Sequence, residues 1–354
     1  MKTNVAMATV LWTTLTAANS GGGMYIDHPG MSVSMEVPLT VTSSTATSGT
    51  GGFFNILKAV NVAISSSTFM SLSSLGSGSF LYSTATTLVL TVTGVTGSST
   101  VDCSNQGNVA AWTSLSSSLA LATPVASKGG AFYISGATTP TVVTDLTVRN
   151  CYTGDSGGAF SMINADLIDT GSTYEYNGAI QGGVVYCSGC ALTLESITYN
   201  HNEAHQGGTF YLNNPKATSG FTQSSITLLN SKAYENGGAF YVTGTTTQTL
   251  DISQMTVTST TAVNFGGMMY VDNSNQGILA GDLSLTTSAA GVSGGGFYFA
   301  NVATVTINQG SEFSTLSAPT HGSFMCSVAT TLVLSMTDAT VQCKTDDITY
   351  TSHL

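Results

Sequence analysis

Apolar and polar residues alternate along most of this chain, and the alternation restarts at a near-constant interval. Each restart opens on paired glycines, most completely in Gly237-Gly238-Ala239-Phe240-Tyr241. Close copies begin at Gly129-Gly130, Gly157-Gly158, Gly182-Gly183, Gly207-Gly208, Gly266-Gly267 and Gly294-Gly295, and weaker ones at Gly21, Gly51, Gly78, Gly107 and Gly322. The mean interval is about 27 residues, the mark of a solenoid, and it gives these glycines a structural role, not a catalytic one. A second alternating run follows each pair, as in Thr144-Asp145-Leu146-Thr147-Val148, Ser225-Ile226-Thr227-Leu228 and Thr304-Val305-Thr306-Ile307. Period-two runs rich in Val, Ile, Thr and aromatics predict strands, and no window keeps a helical period. Strands in every repeat without intervening helices predict an all-β parallel β-helix of about twelve coils, residues 1–354 forming a single domain.

Offsets within the repeat assign the faces. The third position after the leading glycine is Met24, Phe54, Leu81, Ala110, Phe132, Phe160, Val185, Phe210, Phe240, Met269, Phe297 or Met325, apolar throughout, and so faces the core. The next position is tyrosine at Tyr25, Tyr82, Tyr133, Tyr186, Tyr211, Tyr241, Tyr270 and Tyr298, and alternation turns it outward. Stacked one coil apart, these eight make a surface tyrosine ladder, the candidate binding site for a surface glycan or a neighbouring filament.

Glycine-glycine-alanine-aromatic repeats followed by segments such as Leu146-Thr147-Val148-Arg149-Asn150, Ile197-Thr198-Tyr199-Asn200 and Ile226-Thr227-Leu228-Leu229-Asn230 resemble those of chlamydial polymorphic outer membrane protein passenger domains and of large surface proteins of ciliates and other protists. The resemblance spans nearly the whole chain. It implies a right-handed β-helix, a cell-surface or secreted location and a structural or adhesive use, and it implies no catalytic residues.

Composition sharpens this. Charged residues make up 7% of the chain while Ser and Thr number 102, so hydroxyls stand where charge ordinarily keeps a protein dispersed. Covalent O-linked glycans or burial in an assembly would account for that; no Asn-x-Ser/Thr acceptor is present. A net charge of −11 with seven Lys and Arg argues against nucleic acid as a partner. No stretch has the apolar length of a membrane-spanning helix. The six cysteines suit disulfides in an extracellular setting, with Cys187–Cys190 and Cys326–Cys343 as the first pairs to consider and Cys103 and Cys151 remaining. Residues 1–20 read as the second half of a coil in preference to a signal peptide. Neither end shows a capping pattern, so self-association end to end, or continuation in a longer chain, is expected.

Three patterns resemble catalytic or metal sites. Gly154-Asp155-Ser156-Gly157-Gly158 matches a serine-protease nucleophile loop, but nothing like the histidine segment accompanies it and its glycines keep the repeat phase. Cys187, Cys190, His201 and His205 approach zinc-finger spacing, with a strand where the finger helix belongs. Polysaccharide-cleaving β-helices need acids with a base or cation on one strand face, and only Asp346-Asp347 and His321 echo that. The expectation is a non-catalytic protein needing no cofactor or metal.

Overall fold

Bends closed by residues in the left-handed backbone region turn the alternating runs into a coil. The computed structural model describes all residues except 1–3, 7–9, 30, 36–38, 59–60, 66, 86–88, 94–98, 104–127, 217–220, 245–248, 273–276, 303, 329–331 and 344–354. Up to four bends close each turn, and each bend repeats at the same place in successive turns. One is the leading glycine of every pair. A second runs through Gly136, Asn164, Gly189, Asn214 and Gly244; a third includes Asp145, Gly171, Ser196, Ser225 and Asp282; a fourth is Asn150, Tyr176, His201, Asn230, Ser259, Thr287 and Thr315, all with positive φ. Asn, Asp and Ser favour such positions because their short side chains bond locally to the backbone. The paired glycines have a stricter reason. A Cβ on Gly157 would lie 1.9 Å from the Phe160 carbonyl oxygen, and one on Gly158 would lie 2.0 Å from the Gly183 oxygen of the next turn.

The strands between bends pair only in parallel, each with its counterpart one turn away, giving a β-solenoid. The glycine-led face is an 11-stranded sheet running from Met24–Asp27 to Met325–Ser327. Its neighbours are a 15-stranded sheet and an 8-stranded sheet, the latter ending at Phe221–Ser224; a 4-stranded sheet begins at Thr249–Asp251. Ten steps at about 4.8 Å give a body roughly 48 Å long.

The coil count is one lower than expected. Leu81 pairs directly with Phe132 and Val101 with Val148, so the weak copy at Gly107 opens no rung between them; residues 104–127, with Ala110, lie outside the described residues. The glycine phase alone could not reveal this, because an insertion about one repeat long mimics a coil. Residues of the first segment do form coil: Asn4–Ala6, Val10–Trp12 and Leu15–Ala17 pair with Ser32–Ser34, Leu39–Val41 and Ser44–Ala46.

One continuous apolar core runs through the turns, and it contains every described residue of the third-position column except Met24 and Met325, which pack against it. Phenylalanines stack along it, Phe132 on Phe160 at 4.5 Å and Phe210 on Phe240 at 4.8 Å. Buried amides tie the fourth bend: Asn177 Nδ2 donates to the Val148 oxygen and to Asn202 Oδ1, each at 3.1 Å, and Asn202 Nδ2 donates to the Tyr174 oxygen at 2.9 Å. These bonds satisfy backbone groups that the bend takes off the sheet ladder.

Cys103–Cys151 and Cys187–Cys190 are disulfides. The expected Cys326–Cys343 pair is not made. Cys326 carries a free thiol on the glycine-led face, in register with Tyr298, whereas Thr340–Cys343 belongs to the 15-stranded sheet, in which Cys343 pairs with Leu316.

Candidate functional site

Strand alternation on the glycine-led face places the tyrosines where the offsets put them, on the opposite side from Phe210, Phe240 and Met269, but the ladder is broken. Asn55 separates Tyr25 from Tyr82, and Ser161 separates Tyr133 from Tyr186. What remains is an isolated Tyr25, 55% exposed, a stacked pair Tyr82–Tyr133 at 5.1 Å, and a run of five. In that run the ring centroids of Tyr186–Tyr211, Tyr211–Tyr241, Tyr241–Tyr270 and Tyr270–Tyr298 are 5.4, 4.9, 5.0 and 5.3 Å apart. Interplanar angles of 3 to 25° make these face-to-face stacks. Phe265 lies alongside, 4.6 Å from Tyr298.

The stacking decides what the run can offer. Tyr211 and Tyr241 are outside the core yet only 9% and 8% exposed, because their neighbours cover their faces. The run presents ring edges and hydroxyls to solvent, so its inner members meet a partner by hydrogen bonding and edge contact. Burial pushes the Tyr211 and Tyr270 hydroxyls up to about 12 and Tyr241 higher still, and neighbouring phenols and the Asp272 and Glu235 carboxylates add to the shift. At neutral pH Tyr211, Tyr241 and Tyr270 are therefore protonated donors.

A second tyrosine stack lies inside the coil. Tyr174 and Tyr199, one turn apart at 5.3 Å, occupy the inward column that also holds Val101 and Val148, and Tyr199 packs edge-on to Phe210 at 5.0 Å. They accompany Asp169, which stands fully buried in register with Val143 and Leu194. The Ser172 and Tyr174 hydroxyls both donate to its carboxylate. Burial raises the Asp169 pKa to about 6 against the lowering effect of those bonds. The Tyr199 hydroxyl is buried with no hydrogen-bond partner. Offsets measured from the glycines missed this group; offsets along the second run, aligning Tyr174 with Val148, point inward and carry the signal.

The remaining sequence candidates fall apart in space. Ser156 is buried and its hydroxyl lies 3.3 Å from that of Ser161. Cys187 and Cys190 are buried and bonded to each other, while His201 is exposed at the fourth bend, so the zinc-like spacing does not converge. Asp346 and Asp347 lie outside the described residues. Comparison with protein-family models, curated proteins and solved structures gave no match to this chain.

Proposed function

We propose that the chain is a structural, non-catalytic rod of an extracellular or cell-surface assembly, extended by end-to-end stacking of coils and carrying O-linked glycans. The observation that carries this reading is the parallel ladder on the glycine-led face, unbroken over eleven strands with one side-chain core beneath it, which yields stiffness along one axis. In Val333–Met336, the last strand of the four-stranded sheet among the described residues, Val333, Leu334 and Met336 are 63%, 46% and 41% exposed, an apolar strand surface that suits contact with another coil. The abundance of Ser and Thr over charge supports glycan attachment. Negative-stain microscopy of the full chain, with light scattering across a concentration series, tests it. Filaments that grow with concentration are expected; a monomer at every concentration overturns the reading.

A second reading, an adhesin, takes its support from the five-tyrosine run, whose hydroxyls repeat at the rung spacing and suit a partner with its own regular repeat. A printed glycan array comparing the native chain with Tyr211→Ala and Tyr241→Ala tests it: binding must occur and must fall in both variants.

A further inference from the structure

One joint of the solenoid departs from the repeat. The turn holding Leu81 and Val101 stacks directly on the turn holding Phe132 and Val148, although an insertion about one repeat long separates them in sequence. A cross-link stabilises most where the chain between its ends is long, so a covalent tie has its largest effect at such a joint. One is present. Cys103–Cys151 joins these same two turns, and both cysteines are buried, so the tie is made from the core.

On the outside of the same joint Tyr82 and Tyr133 lie in register, with ring centroids 5.1 Å apart and planes 8° from parallel. Both are half-buried, which leaves each phenol partly open to solvent. The pair also has room that the other tyrosine stacks lack. Among the described residues no third ring stacks on it: the positions one turn beyond hold Asn55, whose amide donates to Thr50, and Ser161, whose hydroxyl lies against that of Ser156. Tyr211 and Tyr241, by contrast, have rings on both faces, and Tyr174 and Tyr199 are sealed in the core.

We propose that Tyr82 and Tyr133 are the site of an oxidative cross-link, a dityrosine made by a haem peroxidase with hydrogen peroxide. Each phenol gives up one electron and its hydroxyl proton, and the two phenoxyl radicals join through ring carbons ortho to oxygen. The hydrogens on those carbons then move to the oxygens, which restores two phenols. The two electrons and two protons released reduce one peroxide to two waters. The stack supplies the proximity, since a radical on either ring has its partner already alongside, and the uncovered outer faces let the rings tilt until the bond closes. The product ties the joint a second time, from outside, with a bond that thiol reductants do not cleave. It forms within one chain and does not depend on end-to-end stacking.

The test mixes full chain labelled with nitrogen-15 with unlabelled full chain, treats the mixture with a haem peroxidase and hydrogen peroxide, and reads the proteolytic peptides by mass spectrometry. Peptides of Tyr82 and Tyr133 joined with loss of two hydrogens are expected, with matched labels, at about tenfold or more the yield of any peptide joined through Tyr25, which is exposed but stacks on no tyrosine. Tyr133→Phe keeps a ring in the stack and should abolish the joined peptide, while Tyr25→Phe should leave its yield unchanged. Absence of the Tyr82–Tyr133 peptide, mixed labels within it, or a yield no higher than that through Tyr25 overturns the proposal. Filament assays on untreated chain judge the rod reading separately.

Discussion

The inner pair Tyr174–Tyr199 and the outer run Tyr186–Tyr298 share one geometry, parallel rings repeating with the backbone rung, and differ in what surrounds them. Inside, centroids are 5.3 Å apart and both rings are fully buried; outside, spacings are 4.9 to 5.4 Å and exposure varies along the run. Spacing is set by the sheet, so it is the same in both. Consequence is set by hydration: a phenol next to buried Asp169 holds up the core, whereas one facing water adds mainly mutual ring contact.

Truncation should break the symmetry of the two stacks most sharply. Tyr174→Ala opens a core cavity and leaves Asp169 without its phenol donor, and an unfolding loss of about 3–5 kcal/mol is expected by chemical denaturation. Acidity comes next. The folded Asp169 carboxyl keeps its proton up to about pH 6 while the unfolded one releases it near 3.8, so between those values the folded state holds more protons. Stability then falls as pH rises through that window, by on the order of 3 kcal/mol in total. Denaturation midpoints at pH 4.5 and 7.5 measure this, and Asp169→Asn should flatten the difference. An unchanged slope in that variant would remove Asp169 from the account.

Smaller effects sharpen the contrast. Tyr241→Ala, outside, should cost about 0.5–1.5 kcal/mol, the scale of lost aromatic pairs. Tyr199→Phe removes a buried hydroxyl that has no partner and should leave the melting temperature unchanged or raise it, against a drop for Tyr174→Phe. The least effect is expected at Tyr25→Ala, within about 0.5 kcal/mol, because no tyrosine stacks on it. Ultraviolet titration offers a check without mutation. Tyr211 and Tyr270 should ionise near 12, with Tyr241 beyond them, two units or more above an ordinary phenol.

Much of this was legible from local order. Side chains alternate along any strand, so Phe210, Phe240 and Met269 could be placed inward, and Tyr211, Tyr241 and Tyr270 outward, from their distance to a glycine pair. The glycine pairs themselves were legible because only glycine lets a backbone pass so close to the next turn. Composition likewise spoke directly, since the scarcity of charge needs no coordinates. The inner tyrosines were not legible from the glycine offsets, because the bend at Asp145, Gly171 and Ser196 resets which residue parity faces inward.

By itself, then, the sequence determined the class of fold, the rung period, the glycine bend and the face each residue takes on the glycine-led strands, all of which depend on neighbours a few residues away. The tertiary structure alone decided that the Gly107 repeat opens no rung, that Cys103 joins Cys151 and leaves Cys326 free, and that Asp169 meets Tyr174 in the core. Each of these depends on which turn stacks on which. That is fixed by closing a whole coil at once, where a single insertion or bend shifts every later contact.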